Sequence, residues 1–188
     1  MTAFTTEKID VEPWFDMELF MGVSQETRLG GDVMERFMAL WKNWLPHLTV
    51  KGIDTGKIKY LLVALDEAVE QDVDKAWESS PSNAFLYNAL AQTMCMAAVH
   101  AVIPEVQDAG CAPAPKPTAA LREALEAEGI PYSNDKDPIL SRRYAVVTHY
   151  PFKCGCEICV LQSNCPKGQG QMEAASVVLP GYEHPQQM

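Results

Sequence analysis

The sequence predicts a mainly α-helical protein, a bundle of four to six helices with an irregular cysteine-rich loop near its C-terminus. Two observations support this prediction. Before residue 110, apolar residues recur at steps of three and four, which is the spacing of one helical face. After that point the chain is interrupted by prolines, glycines and a cluster of cysteines, which indicates loops and only short regular elements.

The first part of the chain predicts one short and one longer amphipathic helix. Met1–Asp10 is expected to be frayed, and Val11–Gly22 to dock on the body as a short amphipathic piece. A helix is predicted from Asp32 to about His47 because its apolar residues fall on one side. These residues are Val33, Phe37, Leu40, Trp41, Trp44, Leu45 and Leu48. Lys51–Gly56 is interpreted as a turn.

Two further helices are predicted in the middle of the chain. The first covers about Lys57–Glu78, where charged residues lie largely opposite an apolar stripe. That stripe consists of Ile58, Leu61, Leu62, Leu65, Val69, Val73 and Trp77. Ser80 and Pro81 then form a typical N-cap and first-turn pair for a helix that continues to Ile103. This last helix is apolar nearly all round, so it is expected to be central.

The proline-rich connector, residues 112–117, is the best candidate for a boundary in the chain. It divides a helical domain, residues 1–110, from a C-terminal segment, residues 111–188. The second part is expected to carry short helices and a metal-binding loop, and to pack on the same core.

Shorter elements are predicted beyond the connector. Thr118 caps a helix that stops at Gly129. Ile139–Thr148 is assigned as a helix, although its apolar run would also suit a strand. Val177–Leu179 is expected to form a short strand.

Composition and charge exclude several classes of protein. Apolar residues make up 47% of the 188 residues, so a full core can be buried without help from a metal. A formal charge of −10 argues against binding nucleic-acid phosphates or an anionic membrane surface. No apolar run reaches the roughly 18 residues of a membrane span. Met1–Asp10 lacks a secretory signal pattern, so a cytoplasmic location with reduced cysteines is expected.

Four of the six cysteines, Cys154, Cys156, Cys159 and Cys165, form the run C-x-C-x2-C-x5-C-P. Such close spacing favours one common metal site. An iron–sulfur cluster, [4Fe–4S], is the leading interpretation, because a short irregular loop can wrap it with closely spaced thiolates that end in Cys-Pro. Gly155 would let the backbone approach the cluster without a Cβ clash.

Structural zinc and a dithiol redox centre are the two alternatives to an iron–sulfur cluster. Structural zinc usually takes two C-x2-C pairs, whereas only Cys156 and Cys159 are so spaced, although His149 could replace one thiolate. A dithiol redox centre at the same pair would normally follow a strand in an α/β fold, and no such context is evident from the residues. Cys95 is expected to be an inert core thiol, and Cys111 an incidental loop thiol or a spare ligand.

The sequence therefore predicts an iron–sulfur protein that transfers electrons or supports a redox enzyme as an accessory subunit. A protein partner is expected, but no nucleic acid and no membrane. The alternative from a different class is a non-catalytic interaction protein whose four-cysteine loop is held by zinc. An enzyme using the metal as a Lewis acid would need only three protein ligands and a substrate pocket. No catalytic residue and no oligomeric state are assigned.

Overall fold

An antiparallel β-sheet of four strands forms the centre of the fold. A computed structural model describes residues 4–134, 138–153 and 156–165 of the chain. The strands, in their order across the sheet, are β1 (Thr5–Lys8), β2 (Leu48–Asp54), β3 (Lys59–Leu65) and β4 (Ala145–His149). The prediction of a mainly α-helical bundle is therefore wrong, and the fold is mixed α/β.

Helices pack on both faces of this sheet. They are α1 (Met17–Ser24), α2 (Gly31–Trp44), α3 (Glu67–Ser79), α4 (Pro81–Val102), α5 (Glu105–Ala109) and α6 (Ala119–Ala127). Helices α1 to α5 share one hydrophobic core with the face of β3 that carries Leu61, Val63 and Leu65. The opposite face packs against α6 and the segment that follows it.

Strand β3 accounts for the largest error of the sequence-based prediction. The single helix predicted for Lys57–Glu78 is in fact β3 followed by α3. Every residue from Tyr60 to Leu65 is buried, because both faces of the sheet are covered. A strand buried on both faces shows a continuous apolar run, which fits a helical stripe as well as a strand. Asp66 is the N-cap of α3, and its side chain accepts a hydrogen bond from the Ala68 N–H at 2.9 Å.

The other three strands also contradict the sequence-based assignments. Strand β1 lies within Met1–Asp10, the segment predicted to be frayed, and all four of its residues are exposed and polar. Strand β2 covers most of the turn predicted at Lys51–Gly56, and the chain reverses later, where Gly56 has a φ of 80°. Strand β4 replaces part of the helix predicted at Ile139–Thr148. Pairing with distant strands stabilises these segments, and local periodicity does not reveal it.

Helices α2 and α4 lie close to their predicted positions. Helix α4 begins at Pro81, and the Ser80 hydroxyl accepts a hydrogen bond from the Asn83 N–H. Helix α2 begins one residue before its predicted start. Among the described residues, α4 is the one helix long and apolar enough to suit a membrane span as well, and half of its most apolar window is buried inside the protein. That burial is typical of a core helix.

Helix α6 confirms the prediction of a short helix after the connector. The Thr118 hydroxyl accepts a hydrogen bond from the Leu121 N–H at 3.2 Å, and Gly129 follows the helix with a φ of 73°. Both α6 and β4 come after the boundary predicted at residue 110. Helix α6 packs on the sheet, and β4 is one of its strands. The division into 1–110 and 111–188 stays a prediction, and Val177–Leu179 lies outside the described residues.

Candidate metal centre

Three of the four predicted thiol ligands belong to the described part of the chain. Cys156, Cys159 and Cys165 are reduced and half-buried. We call residues 156–165 the cysteine loop. Cys154 lies outside the described residues.

The cysteine loop is built from two short 3₁₀ turns, Cys156–Ile158 and Gln162–Asn164. The Cys159 N–H donates to the Cys156 carbonyl oxygen at 3.1 Å, and the Gln162 N–H donates to the Cys159 carbonyl oxygen at 3.1 Å. These bonds fold the backbone of the loop into consecutive tight turns.

The thiols nevertheless do not converge on one point. Within residues 4–134, 138–153 and 156–165, no group of three or more His, Cys, Asp or Glu side chains could hold a metal ion as placed. The four-cysteine site therefore stays a prediction. Metal ligands often come together only when the metal binds. The types of donor atom in the loop, and the residues around it, therefore indicate which metal it could bind.

The cysteine loop is attached to the sheet through the proline-rich connector. The Val160 N–H donates to the Ala114 carbonyl oxygen at 3.0 Å. One residue earlier, the Pro113 carbonyl oxygen accepts a hydrogen bond from the Thr148 hydroxyl in β4, also at 3.0 Å. The connector thus lies between β4 and the loop, and it fixes the loop beside the end of that strand.

His149, the last residue of β4, is the most unusual polar group near the loop. Its side chain is 8% exposed, and neither ring nitrogen has a hydrogen-bond partner in the described part of the chain. Burial lowers the pKa of His149, and the positive charge of Lys153 lowers this pKa further. Both effects favour the neutral imidazole, in which one ring nitrogen carries a proton and the other a lone pair.

Tyr60 packs against this histidine from the neighbouring strand. The two residues are paired across β3 and β4, and their ring centroids lie 5.5 Å apart. The Tyr60 hydroxyl is hydrogen-bonded to the Thr118 side chain, while burial raises the pKa of Tyr60. Thr118 therefore has two roles, since it caps α6 and holds the ring that covers one side of His149.

Replacing Thr118 with alanine is expected to destabilise the protein by about 1 kcal/mol, because the N-cap of α6 is lost. Urea denaturation followed by circular dichroism measures this change. Thr118→Ser is the matched control, since serine keeps the capping hydroxyl and should stay close to the wild type. Equal midpoints for Thr118→Ala and the wild type would show that this cap contributes nothing.

Tyr132 is the other residue of the described chain with a buried, unpartnered side-chain polar atom, its hydroxyl oxygen. Arg122 lies over its ring at 5.2 Å from the centroid. Burial raises the pKa of Tyr132 to about 12. The hydroxyl therefore stays protonated at neutral pH, and it offers no charge to a metal.

The two cysteines outside the cluster differ in their surroundings. Cys95 is buried in α4, and its thiol lies 3.5 Å from the Tyr144 carbonyl oxygen. Burial raises the pKa of Cys95 to about 12, so the prediction of a core thiol is confirmed. Cys111 is half-buried at the start of the connector.

The surroundings of His149 cannot be assigned from the sequence alone. The residue is a possible zinc ligand in the sequence only because it stands five positions before Cys154. Its burial comes from the pairing of β4 with β3, and the roles of Tyr60 and Thr118 depend on the same pairing. No local pattern marks these two residues as part of a site.

The fold and the site together define a mixed α/β protein with a cysteine loop fixed beside the last strand of an antiparallel sheet. Comparisons with models of protein families, with characterised proteins and with solved structures gave no match to the chain.

Proposed function

We propose that the protein is an iron–sulfur protein with a [4Fe–4S] cluster, which transfers electrons or serves as an accessory subunit of a redox enzyme. One observation carries the proposal: Cys156, Cys159 and Cys165 are half-buried thiols on a short loop of tight turns. Thiolates are the ligands that iron–sulfur clusters prefer. Cys154, outside the described residues, supplies the fourth thiol predicted from the sequence.

The chain itself would do three things for such a cluster. Its thiolates would bind the irons, and the cluster would supply one-electron transfer when bound. The exposed side chain of Lys153 would offset part of the negative charge of the cluster. The connector would keep the cysteine loop beside β4, through the bond between Val160 and Ala114.

Exposed apolar side chains next to the thiols support a protein partner. Val160 is 37% and Leu161 is 44% exposed, and both directly follow Cys159. A partner that exchanges electrons has to approach the cluster closely, and exposed apolar groups suit a small, transient contact of this kind. The same feature would serve the zinc-stabilised interaction protein.

The experiment is metal analysis of the full chain purified without oxygen. We expect about four iron ions per chain and a brown protein that absorbs at about 400 nm, which is typical of an iron–sulfur cluster bound by thiolates. Cys156→Ala and Cys159→Ala should each lose the iron and the colour. Cys95→Ala is the matched control, because this thiol lies in the core and should not affect the metal.

Two results would decide against the cluster. A colourless protein with one zinc per chain would contradict the iron–sulfur cluster and support the alternative, an interaction protein whose cysteine loop is stabilised by zinc. If neither the wild-type chain nor the Cys156→Ala variant contains iron or zinc, the thiols are not metal ligands.

A further inference from the structure

We propose that a cleft at one end of the sheet binds a small aliphatic amine in its protonated form. The cleft has a volume of about 240 Å³. We call it the edge cleft, and it is lined by Glu7, Ile9, Gly52, Asp54, Lys59 and Tyr150. It contains none of the clustered cysteines, so this inference goes beyond the proposed function and does not depend on the metal centre.

Gly52 leaves the floor of the edge cleft without a side chain. It lies in the interior of β2, where a glycine weakens the strand and often marks a bulge or a site that a ligand approaches closely. The register of β2 with β1 and with β3 runs through Gly52 without a break, which excludes a bulge. The open space therefore needs another explanation.

Neither backbone conformation nor packing requires a glycine at position 52. Its φ lies outside the left-handed region that favours glycine. A Cβ built there would meet its nearest neighbouring atom, Ile9 Cδ1, at 3.7 Å, which is an ordinary van der Waals contact. What the glycine provides is the open space of the edge cleft, and a bound ligand accounts for that space.

Two apolar side chains border this space. Ile9 follows β1, and its N–H donates to the Val50 carbonyl oxygen at 2.9 Å. Tyr150 follows β4, and its N–H donates to the Lys59 carbonyl oxygen at 3.0 Å. Both side chains pack against the core that the sheet shares with α1 to α5, so they are held in place. They suit the apolar part of a ligand, and an aromatic ring also attracts a cation that lies against its face.

The charges at the edge cleft favour a cation. Lys59 is paired with Asp54 at 3.2 Å, and Lys8, next to the cleft, is paired with Asp10 at 3.0 Å. The exposed Glu7 carboxylate has no ion pair with any residue that the structure describes. The two carboxylates and one ammonium group of the lining therefore leave a net charge of −1. A cationic ligand would pair with Glu7, whereas an anion would be repelled.

A short alkyl chain with an ammonium group matches all of these features. The ammonium group pairs with Glu7, and the chain lies over Gly52 between Ile9 and Tyr150. Pockets for drug-sized ligands have volumes of about 300–1,000 Å³, so the smaller edge cleft suits a small molecule.

The test is a titration of the nitrogen-labelled full chain with butylamine, followed by NMR. We expect the amide signals of Gly52 and Tyr150 to shift with a dissociation constant on the order of 1 mM, because so small a ligand makes few contacts. Butyrate has a chain of the same length and the opposite charge, and it should leave both signals in place at the same concentrations.

Variants of the lining test the position of the ligand. Gly52→Val fills the edge cleft and should weaken butylamine binding by about tenfold or more, while valine favours a strand and keeps the fold. Gly52→Ala adds only a Cβ and should weaken binding less. Glu7→Gln should weaken it about two- to fivefold, as for loss of an exposed ion pair. Glu35→Gln is the matched control, since Glu35 is exposed on α2 and the change in net charge is the same.

Several results would overturn the proposal. These are the absence of a shift with butylamine, an equal shift with butyrate, or a folded Gly52→Val protein that binds butylamine as tightly as the wild type. If Gly52→Val does not fold, unchanged binding by both Gly52→Ala and Glu7→Gln has the same meaning. The metal content of each variant should equal that of the wild type, so failure of this proposal is distinguishable from failure of the metal centre.

Discussion

Val63→Asp is expected to unfold the protein. Val63 is fully buried in the centre of β3, where it pairs with Val50 on one side and with Val146 on the other. An aspartate there would bury a carboxylate among apolar side chains with no cation to pair with it. Such a change costs more than about 4 kcal/mol, against a total stability of about 5–15 kcal/mol for a typical domain. Circular dichroism and the near-ultraviolet signal of the tryptophans measure the loss.

Ile139→Asp is the matched control for this variant. Ile139 is also β-branched, but 59% of its surface is exposed, so the same change should alter the free energy of unfolding by less than about 0.5 kcal/mol. The comparison also tests the fold. In the helix that the sequence predicts for Lys57–Glu78, Val63 lies outside the apolar stripe, and its replacement would be mild. A folded Val63→Asp protein would contradict the strand.

Local signals predict the parts of the fold that depend on local chemistry. Ser80 with Pro81 marks the start of α4, and Thr118 with Gly129 marks both ends of α6. Each of these residues acts on backbone groups within a few positions of itself, so its effect can be deduced from neighbouring residues. The sequence-based positions of these helices are correct for that reason.

The sheet cannot be predicted in the same way. Tyr60 pairs with His149 although the whole of α3, α4, α5 and α6 separates them in the chain. Strand β3 lacks the alternation of apolar and polar residues that marks a half-exposed strand, and β1 has no apolar residue at all. Long-range pairing decides these segments, and a single sequence does not display it.

In the candidate site, too, the features that depend on neighbouring residues can be predicted from the sequence, and those that depend on distant residues cannot. The spacing of the cysteines identifies the loop, because the four residues are neighbours in the chain. The sequence predicts that the connector separates two parts, yet Thr148 and Val160 bind it from two sides. Its carbonyl groups make these contacts, and proline residues leave carbonyl oxygens free to accept such bonds.

Cys95 is expected to react with iodoacetamide at least about 1000-fold more slowly in the native protein than in the unfolded chain at pH 8, because burial raises its pKa and also keeps the reagent away. Burial raises its pKa from 9.0 to about 12, and only the thiolate is the nucleophile. The thiolate fraction at this pH falls from about one in ten to about one in ten thousand. Mass spectrometry of peptides after timed alkylation measures the rate, with the protein in urea as the reference.

The same pKa shift makes stability depend on pH in the alkaline range. The unfolded chain releases the Cys95 proton from pH 9.0 upward, while the folded protein keeps it until about pH 12. The stabilisation is thus present well below pH 9 and declines as pH rises above it, by about 1 kcal/mol between pH 9 and 10. Burial also raises the pKa of Tyr60, Tyr132 and Tyr144 above the ordinary 10.0, so these tyrosines add to the decline as pH approaches 10. In urea titrations between pH 9 and 10, Cys95→Ala should lose about 1 kcal/mol less stability than the wild type. An equal decline in both proteins would show that Cys95 does not contribute to it.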